Sequence, residues 1–223
     1  MDKKIEKLKN DFERDNLKRF ICNVNWRYNR EFIKSCLDQK VKELEECGIY
    51  SSTYCNKKGW VGSVEGNDAI SFNVLLRPTG VKYHDEKDRS ITYDHEKGAV
   101  LNISHSDIGS DTVFLRPAKS KQSGAKHRTL ILYYGANSSK LTKRKLNSFI
   151  YDAINYHRYT SVLNYRSKKL NLKIYLMFAR SYWYSYKSPS LKFKVTTGVY
   201  IPLASLFISL MALIVSYLAI GKV

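Results

Sequence analysis

From Val195 to Gly221 the chain runs for 27 residues without a charged side chain, and the part from Gly198 to Ile220 reads GVYIPLASLFISLMALIVSYLAI. Coiled as a helix, at about 1.5 Å of rise per residue, such a run matches the roughly 30 Å of a bilayer's hydrocarbon layer. A buried helix of a globular protein seldom stays wholly apolar beyond about 14 residues. The run therefore predicts a single C-terminal transmembrane helix, with Pro202 in its first turn, where a missing N–H costs little. Lys187, Lys192 and Lys194 precede the span and Lys222 follows it, so the positive-inside rule places the bulk of the chain in the cytoplasm. The N-terminus, MDKKIEKLKN, lacks the apolar centre of a signal peptide. The expected organisation is a cytosolic domain over 1–194 followed by a membrane segment over 195–223.

Within the apolar run the small residues Ser205, Ser209, Ala212, Ser216 and Ala219 recur at spacings of 4, 3, 4 and 3, which puts them on one stripe of a helix. Small residues allow close helix approach in lipid, so the stripe predicts transmembrane packing or a pore lining in a homo-oligomer. Leu206, Phe207, Leu210, Leu213 and Ile214 occupy the other faces.

The net charge of +18, from 38 Lys+Arg against 20 Asp+Glu, points to an anionic partner. Its distribution is uneven. Residues 116–194 hold 18 basic side chains and a single acid, Asp152. A composition 43% hydrophobic, with 11 Gly and 4 Pro, excludes a low-complexity chain and supplies a core.

Helix spacing of Ile33, Cys36, Leu37, Val41 and Leu44 predicts a helix from Asn29, its N-cap, to Glu46, with Gly48 as its stop. Ile5, Leu8, Phe12 and Leu17 predict a separate amphipathic helix before it. From Trp60 onwards come short β-like runs divided by turn residues: WVGSV, AISFNVLLRP, SITYDHEKG, AVLNISHSD, DTVFLRPA and RTLILYYG. A helix follows from about Ser138 to Arg158, and then a strand-like run, LNLKIYLMFARSYWYSY. The expected fold class is α+β: N-terminal helices, a mixed or antiparallel β region with a helix, then a single transmembrane helix. Cys22, Cys36, Cys47 and Cys55 contain no CxxC pair and read as reduced thiols.

The basic third is also rich in aromatics. It holds ten of the 17 tyrosines, interleaved with Lys143, Arg144, Lys145, Arg158, Arg166, Lys168, Lys169, Lys173 and Arg180. Single-stranded nucleic acid needs this pairing, with cations for phosphates and aromatic faces for unstacked bases. Lys143, Arg144, Lys145, Arg158, Arg166, Lys168 and Lys169 are the candidate phosphate contacts, with Tyr156, Tyr159 and Tyr165 as candidate stacking partners. Two other readings stay open: a patch that docks on anionic lipid, and a solvated surface with no specific ligand.

An enzymatic alternative is a tail-anchored, metal-dependent nuclease built on His84, Asp85, Glu86, Asp88, Asp94, His95, Glu96, His105, Asp107 and Asp111. No GxxxxGK[ST], GxGxxG after a strand, GxSxG or HExxH is present. The leading reading needs no catalytic residue, metal or cofactor.

The Lys/Arg/Tyr-rich stretch from Arg116 to Lys194, feeding the apolar segment from Gly198 to Ile220, resembles in architecture the membrane effector of the bacterial Hailong anti-phage defence system. That resemblance implies an inner-membrane, single-pass, homo-oligomeric ion channel, a tetramer, with its N-terminal domain in the cytoplasm. It further implies a single-stranded oligodeoxynucleotide ligand, made by a partner nucleotidyltransferase, that gates the channel.

Overall fold

No glycine or proline interrupts residues 3–46, and in the computed structural model this stretch is one helix, α1 (Lys3–Glu46). The residues described by the structure are 3–56, 67–74, 77–85, 90–124, 127–164, 167–187, 202 and 205–212. Exposed charge pairs one turn apart line the first half of α1: Lys9 with Glu13, Arg14 with Asp11 and Lys18 with Asp15. They favour the helical state of a segment with little tertiary support. The separate N-terminal helices expected from the sequence are thus continuous, and Asn29 is a mid-helix residue whose amide donates to Ser138 Oγ at 3.1 Å. α1 ends where Gly48 adopts φ 74°. There the amides of Gly48 and Ile49 donate to the carbonyls of Glu45 and Leu44, closing the exposed helix end.

Among the described residues seven strands follow: β1 (Ser51–Asn56), β2 (Asn67–Val74), β3 (Arg77–Asp85), β4 (Ser90–Glu96), β5 (Val100–Ser106), β6 (Asp111–Arg116) and β7 (Leu130–Gly135). Five form an antiparallel sheet in the order β1-β2-β5-β6-β7, while β3 and β4 pair as a separate two-stranded sheet. Register aligns Ile70 with Ile103 and Val113, and Phe72 with Leu101 and Leu115, so a single apolar face crosses three strands. That face packs on Trp26, Ile33 and Leu37 of α1 and on Leu146, Ile150 and Ala153 of α2 (Lys143–Thr160), all buried. A one-turn 3-10 helix, Ser138–Lys140, precedes α2 and is capped by Asn137, whose side chain accepts from the Ser139 amide at 3.0 Å.

The run expected as a final strand, LNLKIYLMFARSYWYSY, lies instead in helix α3 (Lys168–Lys187). Its buried residues Leu170, Ile174, Met177 and Ser181 keep spacings of 4, 3 and 4, a helical period that the abundance of strand-favouring aromatics conceals. The Ser181 hydroxyl accepts from the amide of Ile131, on the edge strand β7, at 2.8 Å.

The transmembrane helix expected over 198–220 is not found among the described residues. Among the described residues no helix is long and apolar enough to cross a membrane. Within that stretch residues 202 and 205–212 are described, all helical. Ser205, Ser209 and Ala212 fall in this segment, where Ser209 Oγ donates to the Ser205 carbonyl at 2.9 Å. Ser216 and Ala219 lie outside the described residues. The chain divides into two compact units, Met1–Ser181 and Tyr182–Val223, and both sheets and α2 belong to the first.

Candidate functional site

α2 turns Leu146, Phe149, Ile150, Ala153 and Tyr156 inward. Its outer side therefore carries Arg144, Ser148, Tyr151, Asn155 and Arg158, a stripe with spacings of 4, 3, 4 and 3. On α3 the sequence Lys169, Lys173, Leu176, Arg180 repeats the same rhythm. Between the two stripes lie adjoining cavities of about 580 and 220 Å³, which share Asn155 and Lys173 in their walls. Together they make one groove with Arg144 at one end and Arg158 and Lys169 at the other. Leu176 and Met177 give it an apolar wall, and Tyr151, 53% exposed, gives it an aromatic one.

Asp152, the single acid of the basic third, also lines this groove, but it is already engaged: Arg180 Nη2 donates to its Oδ2 at 2.5 Å. Burial pushes the Asp152 carboxyl above its ordinary range, while the Arg180 guanidinium and then Lys173 pull it back. Arg180 also stands over the Phe149 ring at 5.7 Å, so the pair holds α3 against α2. Arg144, Arg158, Lys169 and Lys173 have no ion-pair partner among the described residues. The groove thus presents Arg144, Arg158 and Lys169 unanswered, and Lys173 in the field of an Asp152 already paired with Arg180, beside an apolar and aromatic wall.

The nominated residues divide sharply. Arg144, Arg158 and Lys169 line the groove. Lys143 points to α1 and donates to Gln39 Oε1 at 3.1 Å. Lys145 stands over the Tyr133 ring of β7 at 5.5 Å. Consecutive helix residues are rotated by about 100°, so a run of three cations cannot share one face. Lys168 is exposed at the start of α3, outside the groove lining. Tyr156 is fully buried and its hydroxyl donates to the Arg128 carbonyl, which makes its ring part of the core and not a stacking surface. Tyr159 is half-buried and meets His127 edge-on at 5.5 Å. Tyr165 and Arg166 lie outside the described residues. Tyr151 and Asn155 were not singled out by composition; the seven-residue rhythm from Arg144 to Arg158 is the signal that marks them.

The acidic and histidine cluster considered for a nuclease is dispersed. Thr79 Oγ1 donates to Asp94, and Glu96 accepts from Ser161 Oγ and the Val162 amide at 2.6 and 2.8 Å. His105 lies under α1, stacked on Trp26 at 5.0 Å, with Asp111 at 2.7 Å and Asn23 at 2.8 Å from its two nitrogens. Burial raises the Asp111 carboxyl, and His105 opposes that rise. Trp26 Nε1 and Arg30 both reach Asp68, each at 3.0 Å. This network joins α1 to the sheet. Among the described residues no group of three or more His, Cys, Asp or Glu side chains gathers to hold a metal. Glu86 and Asp88 lie outside those residues.

No family model, no curated protein and no solved structure matches the chain.

Proposed function

We propose that this protein binds a single-stranded nucleic acid or oligonucleotide along the groove between α2 and α3. The observation that carries the reading is the pairing of two parallel cationic stripes with an aromatic and apolar wall, the arrangement a phosphate chain with unstacked bases requires. Arg144, Arg158, Lys169 and Lys173 contact phosphates, and Tyr151, over whose ring Lys40 Nζ stands at 5.1 Å, offers its other face to a base. The proposal is confined to ligand binding. Among the described residues no helix is long and apolar enough to cross a membrane.

Fluorescence anisotropy of a labelled single-stranded deoxyoligonucleotide against the full chain tests this. Affinity should fall with salt at a slope of about −0.7 per phosphate contact, and a Lys169→Ala/Lys173→Ala variant should lose about 1.4 of that slope. Tyr151→Ala should weaken binding by about 1–3 kcal/mol and leave the slope alone. Lys143→Ala/Lys145→Ala, which removes cations turned away from the groove, should keep most of the affinity. Equal binding by wild type and the Lys169/Lys173 variant would remove the groove from the ligand site.

A further inference from the structure

Beside the groove, on the inner side of α2, is a second and more enclosed cavity of about 190 Å³. Its walls include Tyr50, Arg77, Ile154, His157, Arg158 and Asn164. The chemistry turns on His157, which is only 5% exposed. Its Nδ1 accepts the Ala99 amide proton at 3.4 Å, so the ring's own proton sits on Nε2, and Nε2 is buried with no partner among the described residues. Burial, with help from Arg77, holds the imidazole below its ordinary pKa against the opposing pull of Glu96, which agrees with a neutral ring. A buried N–H without an acceptor is costly; Nε2 is closed off from water as the ring stands, so the ring must turn towards the cavity it lines before a ligand oxygen can accept from it.

The rest of the lining asks for the same ligand. Two guanidiniums, Arg77 and Arg158, face the space with no ion-pair partner among the described residues, and the Asn164 amide adds a further donor. None of the described lining residues is a carboxylate, and the nearby Glu96 is occupied by Ser161 and Val162. The volume is about six times a water molecule's share of roughly 30 Å³, which leaves room for a phosphate and part of its ester. Tyr50, 63% exposed, provides an aromatic edge for what the phosphate is attached to. Arg158 lines this cavity and the α2–α3 groove alike, so a strand in the groove can end here.

We infer that the cavity formed by Arg77, His157 and Arg158 binds a phosphate monoester, namely the terminal phosphate of a nucleotide or of the strand held in the groove. The link to a strand rests on the proposed groove; the monoester site rests on its own donors. A terminal monoester carries more charge and more free oxygens than an internal diester, and it fits a closed space lined with donors.

The test compares one single-stranded deoxyoligonucleotide bearing a 5′-phosphate, a 3′-phosphate or neither, and adenosine 5′-monophosphate against adenosine, on the full chain. One phosphorylated end should bind about tenfold more tightly than the unphosphorylated strand, and Arg77→Gln and His157→Phe should each abolish that preference. Arg77 is exposed at the start of β3, so its variant folds even if His157→Phe does not. Equal binding of all three strands by wild type overturns the inference and leaves the groove standing. If no strand binds, the groove reading fails, and the mononucleotide decides the cavity. Thermal stabilisation by adenosine 5′-monophosphate, absent with adenosine and lost in Arg77→Gln, supports the site; no difference between the two compounds overturns it.

Discussion

At the end of α2 a single step along the helix separates two kinds of chemistry. His157 is buried against the Ala99 amide, whereas its neighbour Arg158 stands exposed in the groove. Because burial depresses the His157 pKa below 6.5, the unfolded chain takes up a proton that the folded chain refuses. The stability tied to this residue is therefore present above pH 6.5 and lost as the pH falls below it. Acidification from about pH 7.5 to about pH 5.5 should lower the unfolding free energy by at most about 1.4 kcal/mol in all, most of it below pH 6.5. Urea titrations of wild type and His157→Gln at the two pH values check this, and the variant should decline less. Residue-level roles of this kind were only partly legible in the sequence. Arg144, Arg158 and Lys169 could be named from composition, but nothing in composition separates Tyr151, in the groove, from Tyr156, in the core. Only the angular position around α2 does so.

Among the elements, α1 is the most divided. Its buried residues begin at Trp26, and Ile5, Leu8, Phe12, Leu17 and Phe20 before it are all more than half exposed. Removing residues 1–15 should change the unfolding free energy by less than about 1 kcal/mol. Trp26→Ala should cost about 3–5 kcal/mol, since it deletes a buried ring, its stacking on His105 and its bond to Asp68. Chemical denaturation of the two variants separates the halves of the helix. Strands β2 and β4 to β7 could be read from β-favouring runs bounded by turn residues, while the run WVGSV lies outside the described residues. β1 and β3 could not, because Ser51-Ser-Thr-Tyr-Cys-Asn56 and Arg77-Pro-Thr-Gly-Val-Lys-Tyr-His-Asp85 have little apolar alternation of their own. They gain their order from pairing, with β2 and β4 respectively. The same limit explains α3, where strand-favouring aromatics masked a helical period, and the C-terminal run, where apolar length stood in for a helix that the described residues do not contain.

For the whole molecule the net charge of +18 is a source of self-repulsion and, on the proposed reading, of affinity. Residues 116–194 hold 18 cations, and their one acid is committed to Arg180. Salt shortens the Debye length from about 10 Å at 0.1 M to about 3 Å at 1 M, so the ligand-free protein should gain stability as salt rises while its hold on an oligonucleotide weakens. Thermal unfolding in a sodium chloride series, run beside the binding titration, should give two trends of opposite sign. An unfolding midpoint that falls with salt would show that attraction, not repulsion, dominates the free protein. The Asp152–Arg180 contact shows what this means for the molecule as a machine. Residues 116–194 are an electrolyte short of its counterion, their one acid held by Arg180. On the proposed reading, a polyanion in the groove would supply the missing charge and draw the cations of α2 and α3 onto one ligand.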